Sequence, residues 1–142
     1  MRVARQNSSK ILVVEDDTVT REILAHLLRM AGFDVCSAAT GEQALVLLRK
    51  HRHEIGWLFT DLDMPGMICG AMLADEFHRS QPAQPVVFAS AHAGEYPIET
   101  AQVVVLPKPV SPLHVLEALK ALRSAVSSNA SLRREAETRR AA

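Results

Sequence analysis

The chain has 142 residues, of which 48% are hydrophobic and 23% charged, the composition of a folded globular domain rather than a disordered one. A domain of this length buries about 70% of the surface its unfolded chain exposes, so its core needs no disulfide or metal staple. Lysine plus arginine is 16 and aspartate plus glutamate is 16, which excludes the positive excess of a nucleic-acid-binding domain or of a polybasic membrane anchor.

No apolar run reaches the length of a membrane span. Residues 1–9 carry two arginines but lead into only a four-residue apolar run, with acids straight after it, which does not fit a secretory signal. Cys36 and Cys69 lack metal-type spacing and are expected as reduced thiols of a cytoplasmic protein.

Strand and helix signals alternate, the pattern of a parallel sheet covered by helices on both faces. Lys10–Val14 reads as a first strand, continuously apolar from Ile11 on, as strands buried on both sides are. Residues 18–31 read as a helix with Val19, Ile23, Leu27 and Met30 as its apolar stripe and Gly32 as its stop. Residues 34–38 form a second strand. Thr40 and Gln43 suit a capping box for a helix over about 41–52. A third strand over 56–60 leads into a loop that carries Pro65, Gly66 and Gly70, and Met64, Met67 and Met72 are expected as packing residues. A helix over 71–80 places Leu73 and Phe77 at i, i+4, and the prolines at 82 and 85 end it. Strands follow over 86–89 and 103–106, separated by a polar stretch with room only for a short, weak helix. Ser111 and Pro112 suit the N-cap and first position of a last helix, on which Val115, Leu116, Leu119, Leu122 and Val126 recur. From residue 127 apolar periodicity stops. The expected organisation is an N-terminal extension over 1–8, one domain over 9–126 and a solvated tail over 127–142.

Loops after the C-terminal ends of parallel strands line the ligand crevice of an open α/β sheet. Those positions carry Glu15, Asp16 and Asp17 after the first strand, Asp61 after the third, Ser90 at the end of the fourth and Lys108 after the fifth. Clustered carboxylates repel unless a cation joins them, and a hard divalent ion such as Mg²⁺ suits such a site. Asp61 is then a candidate nucleophile for an aspartyl-phosphate, with Lys108 and Ser90 placed to meet the phosphoryl oxygens.

The ordered set ILVVEDD (Ile11–Asp17), TDLDMPG (Thr60–Gly66), Ala89-Ser90-Ala91 and LPKP (Leu106–Pro109) resembles the receiver domain of two-component response regulators. Asp61 stands 45 residues after Asp16, Ser90 stands 29 after Asp61 and Lys108 stands 18 after Ser90, all in the family's spacing. The resemblance covers roughly residues 9–126. It implies a flavodoxin-like five-stranded parallel sheet of order 2-1-3-4-5. It implies a phosphoryl group accepted on Asp61 from a histidine kinase or histidine phosphotransfer protein. Mg²⁺ would be held by Asp16, Asp61 and the backbone carbonyl of Asp63, with Glu15 acting through water. Ser90 would turn toward the phosphoryl group, Lys108 would pair with it, and the Lys108–Pro109 bond would be cis. The side chain of Asp63 is expected to face solvent, where it and His92 would govern access of water. Asp17 falls to the N-cap of the first helix.

A receiver of this kind is no enzyme beyond its own phosphoryl acceptance and dephosphorylation. Little chain follows the receiver segment, so the expected output is contact with an unknown protein, without direct DNA or membrane binding, as a monomer or weak dimer. The other class weighed is a degenerate receiver that works as a phosphorylation-independent interaction module; the complete set Asp16, Asp61, Ser90 and Lys108 argues against it. The sequence departs from the family in three places. Val105 stands where an aromatic switch residue is usual, the stretch from Ser90 to Lys108 is short and implies a reduced fourth helix, and the loop after Asp61 carries one extra residue.

Overall fold

Alternate side chains of a strand point to opposite faces, so a strand apolar at every position must be covered on both sides. Lys10–Val14 (β1) does this: Ile11 and Val13 pack into one core, Leu12 and Val14 into the other. The computed structural model describes residues 10–92 and 103–141, with side chains for all of these except 126–134 and 141. After β1 come α1 (Thr18–Met30), β2 (Asp34–Ala38), α2 (Gly41–Lys50), β3 (Ile55–Asp61), α3 (Gly70–Ser80), β4 (Val86–Ser90), β5 (Val103–Pro107) and α4 (Pro112–Ala141).

The five strands form one parallel sheet of order β2-β1-β3-β4-β5. The central strand β3 is buried along its whole length. Trp57, Phe59, Val87 and Ala89 share the first core with Leu24, Leu28, Val115 and Leu119 from α1 and α4. Leu58, Val86 and Phe88 share the second with Ala44, Leu48, Leu73 and Phe77 from α2 and α3. Arg123 covers the first core at its rim, 4.3 Å from the centroid of Phe33, whose ring meets Trp57 edge-on.

The caps follow the sequence closely. Asp17 accepts from the Thr20 N–H at 2.8 Å and from its hydroxyl at 2.6 Å. Thr40 accepts from the Gln43 N–H at 3.1 Å, while the Gln43 side chain reaches one residue further back than a capping box does, to the N–H of Ala39. The Lys108–Pro109 peptide bond is cis.

Three expectations are corrected. The stripe Val19, Ile23, Leu27 and Met30 does not face the core: Val19, Ile23 and Met30 are 64, 48 and 72% exposed, and the buried face is Leu24, Ala25 and Leu28. The helix is apolar on two adjoining stripes, and the buried one shares its side with Arg21, which donates to the Glu15 carbonyl at 2.8 Å. Met67 and Met72 are exposed rather than packed, although Met64 is buried. The last helix does not stop near residue 126 but runs to Ala141, with 135–140 exposed. Those residues lack an apolar stripe but include good helix formers and no glycine or proline, so nothing ends the helix. The short helix expected between β4 and β5 lies outside the described residues.

Candidate functional site

All the strands point the same way, so their C-terminal ends meet at one edge. Short backbone links fix the loops there. The N–H of Glu15 donates to Ala38 O (3.1 Å), that of Leu62 to Ala89 O (2.9 Å) and that of Lys108 to Ser90 O (2.9 Å). Asp61 is the last residue of β3 rather than the first after it, and Ser90 ends β4 as expected. Both are buried, at 1% and 0% exposure.

Glu15, Asp16 and Asp61 each present a carboxylate oxygen within 4.8 Å of the other two. Burial pushes the Glu15 carboxyl up to about 7; the hydrogen bond it accepts from the Asp17 N–H opposes this, while Asp16 and the charge of Asp61 reinforce it. Lys108 donates to the Asp61 carboxylate from the other side. Burial pulls the Lys108 ammonium down, but its bond to Asp61 and the charges of Asp61, Glu15 and Asp63 outweigh it and hold its pKa above the ordinary lysine value. One lysine against three close acids leaves the edge short of positive charge. Carboxylate oxygens in this number and spacing suit a hard cation of the Mg²⁺ class.

The sequence-derived residues Glu15, Asp16, Asp61, Ser90 and Lys108 thus meet at one edge, with the backbone of Asp63 beside Asp61: its N–H donates to Asp61 Oδ1 at 2.9 Å. Val105 is half-buried in β5, against the second core. Two features were missed. The Asp63 side chain, though exposed, accepts from Ser90 Oγ at 3.1 Å and from the Ala91 N–H at 3.3 Å. Gly70 lets the start of α3 approach the site, since a Cβ there would lie 2.5 Å from the Asp61 carbonyl oxygen. The sequence signal for the second was a glycine at the first helical position, just after the N-cap Cys69, where its low helix propensity calls for a packing reason.

Residues 11–120 match the response regulator receiver domain family. A response regulator receiver protein from Anaeromyxobacter sp. is 36% identical over 112 residues, which cover 76% of this chain and 46% of that protein. The chain therefore spans less than half the length of that relative, and a smaller share still of a two-component response regulator from Arabidopsis thaliana, 14%, at 32% identity over 59% of this chain. Among solved structures, the receiver domain of the hybrid histidine kinase CckA superposes with a TM-score of 0.68 at 35% identity, over 80% of this chain and 98% of that one. A response regulator receiver protein from Sinorhizobium medicae, at 21% identity and a TM-score of 0.71 over 85% and 98% of the two chains, shares the fold. The ordered acids, serine and lysine at one sheet edge and the match over residues 11–120 agree, and the chain belongs to the response regulator receiver domain family of two-component signalling.

Proposed function

We propose that Asp61 accepts a phosphoryl group from the phosphohistidine of a histidine kinase or histidine phosphotransfer protein, in a Mg²⁺-dependent step. The observation that carries this is a buried carboxylate held between two further acids and a lysine at the ligand edge of the sheet. In the step, the P–N bond breaks as a P–O bond forms to Asp61, and the imidazole leaves. Asp16, Asp61 and the Asp63 carbonyl would hold Mg²⁺, with Glu15 behind them through water. Held by these residues, such an ion would supply neutralising charge for the phosphoryl oxygens, the main need of such a transfer. Lys108 keeps its charge throughout and moves from the Asp61 carboxylate to a phosphoryl oxygen. Ser90 would donate a hydrogen bond to another.

The donor must reach the edge where Asp61 lies. The exposed stripe of Val19, Ile23 and Met30 starts beside it, on the helix that Asp17 caps, and is an apolar surface a partner helix could cover. The output is read as contact with another protein, and the site of action as the cytoplasm.

Incubation with acetyl phosphate tests this by intact-protein mass. One added phosphoryl group that needs both Mg²⁺ and Asp61 is expected, with none on Asp61→Asn. An adduct independent of Mg²⁺, or one that survives Asp61→Asn, would overturn the assignment.

A further inference from the structure

The Ser90 hydroxyl has one proton, and the hydrogen bonds around it say where that proton is. The His92 N–H donates to Oγ at 3.0 Å, so on that side Oγ is the acceptor. The Asp63 carboxylate can only accept, so at 3.1 Å the Ser90 proton points to Asp63 Oδ2. The same oxygen accepts from the Ala91 N–H at 3.3 Å, which ties the residue after Ser90 to the same carboxylate. Asp63 is itself oriented by its own N–H, which donates to Asp61 Oδ1 at 2.9 Å. Ser90 is wholly buried, so water does not compete for that proton from its own side. In this state its proton is committed to Asp63, away from Asp61.

We propose that the Asp63 carboxylate is a latch that holds the Ser90 hydroxyl away from Asp61, and that this bond must break before Ser90 can serve a phosphoryl group there. The proposal rests on the reading of Asp61 as phosphoacceptor. Asp63 is on this view a positioning residue: it acts on the phosphorylated state through Ser90 and through the Ala91 backbone. Ser90 ends β4 and Asp63 lies two residues beyond the end of the adjacent strand β3, its N–H tied to Asp61 Oδ1, so the two side chains meet across neighbouring strand ends.

A bond from a hydroxyl to a charged acceptor is among the stronger ones, but Asp63 is exposed and water competes for it. Removing it should therefore favour the phosphoryl-bound state by roughly three- to tenfold. Beryllofluoride with Mg²⁺, a phosphoryl mimic that binds reversibly to a carboxylate, lets this be read as an equilibrium affinity by ¹⁹F NMR. Affinities are compared for the unsubstituted chain, Asp63→Ala, Ser90→Ala and the double variant. A latch predicts a gain of roughly three- to tenfold in Asp63→Ala that vanishes when Ser90 is already alanine. Simple relief of charge repulsion between Asp63 and the anion would give the same gain in both backgrounds. Asp63→Asn removes that charge but keeps an oxygen that can accept from Ser90, so the latch predicts a smaller gain than in Asp63→Ala.

The resting state is checked separately, without metal or phosphoryl mimic. Amide hydrogen exchange at Ala91 should speed up in Asp63→Ala and be slowed again, in part, in Asp63→Asn. Failure of the unsubstituted chain to bind beryllofluoride would overturn the phosphoacceptor reading and the latch with it. Binding without a gain in Asp63→Ala, a gain unchanged by Ser90→Ala, or unchanged Ala91 exchange would overturn the latch alone.

Discussion

Glu15 shows how one side chain reports the charge state of the whole edge. Its folded pKa of about 7 lies above the 4.5 of an ordinary glutamate. The native state therefore binds an extra proton between those values, and in metal-free buffer this contribution to stability is present below about 4.5 and is lost as pH rises through 7. A cation competes with that proton. Mg²⁺ affinity should rise with pH, by up to about tenfold between one unit below and one unit above the Glu15 value, and then level off. Calorimetric titration across that range checks it; an affinity independent of pH would mean that Glu15 does not belong to the site. Asp61, Ser90 and Lys108 were legible in the sequence because each follows an apolar run that could only be a strand, and strand ends of one parallel sheet must converge. The Asp63–Ser90 bond was not legible. It joins residues 27 apart through the rotamers of two side chains, which no spacing encodes.

Among the elements, α1 and α3 carry most of what the sequence left open. Apolar periodicity located α1 but could not choose between its two adjoining stripes. The stripe that is buried is the one that also carries Arg21, bonded outside the helix to the Glu15 carbonyl. The stripe left outside makes a separable prediction. Ile23→Glu should change stability by less than about 0.5 kcal/mol, as exposed substitutions do, and leave uptake from acetyl phosphate intact. Transfer from the cognate phosphohistidine donor should fall by tenfold or more, on the order of 1.4 kcal/mol of lost contact. Equal losses with both donors would refute a docking role. At α3, Gly70→Ala would drive a methyl group against the Asp61 backbone. A cost of roughly 1–3 kcal/mol in urea unfolding is expected, together with loss of phosphoryl uptake. A variant of unchanged stability would mean that α3 shifts without strain.

At the scale of the molecule, the topology was the most legible feature. Five apolar runs separated by helical patterns leave a doubly covered parallel sheet as the economical arrangement, and the order β2-β1-β3-β4-β5 follows the receiver resemblance. The end of α4 was less legible, because a polar helix beyond the core has no periodicity to announce it. Among the described side chains of α4, Leu122 is the last in the core, and 135–140 are exposed. Removal of residues 127–142 should thus leave the stability of the receiver within about 0.5 kcal/mol and its phosphoryl uptake unchanged. A loss above about 1 kcal/mol in urea unfolding would instead tie that segment to the fold. The most direct test of phosphoacceptance at Asp61 is chemical. Borohydride reduces an acyl phosphate to the alcohol, so treatment of the acetyl-phosphate-charged chain followed by peptide mass mapping marks the acceptor. Homoserine at position 61 alone is the expected result, and homoserine at position 16 or 63, or none in a chain that carries the phosphoryl mass, would contradict it.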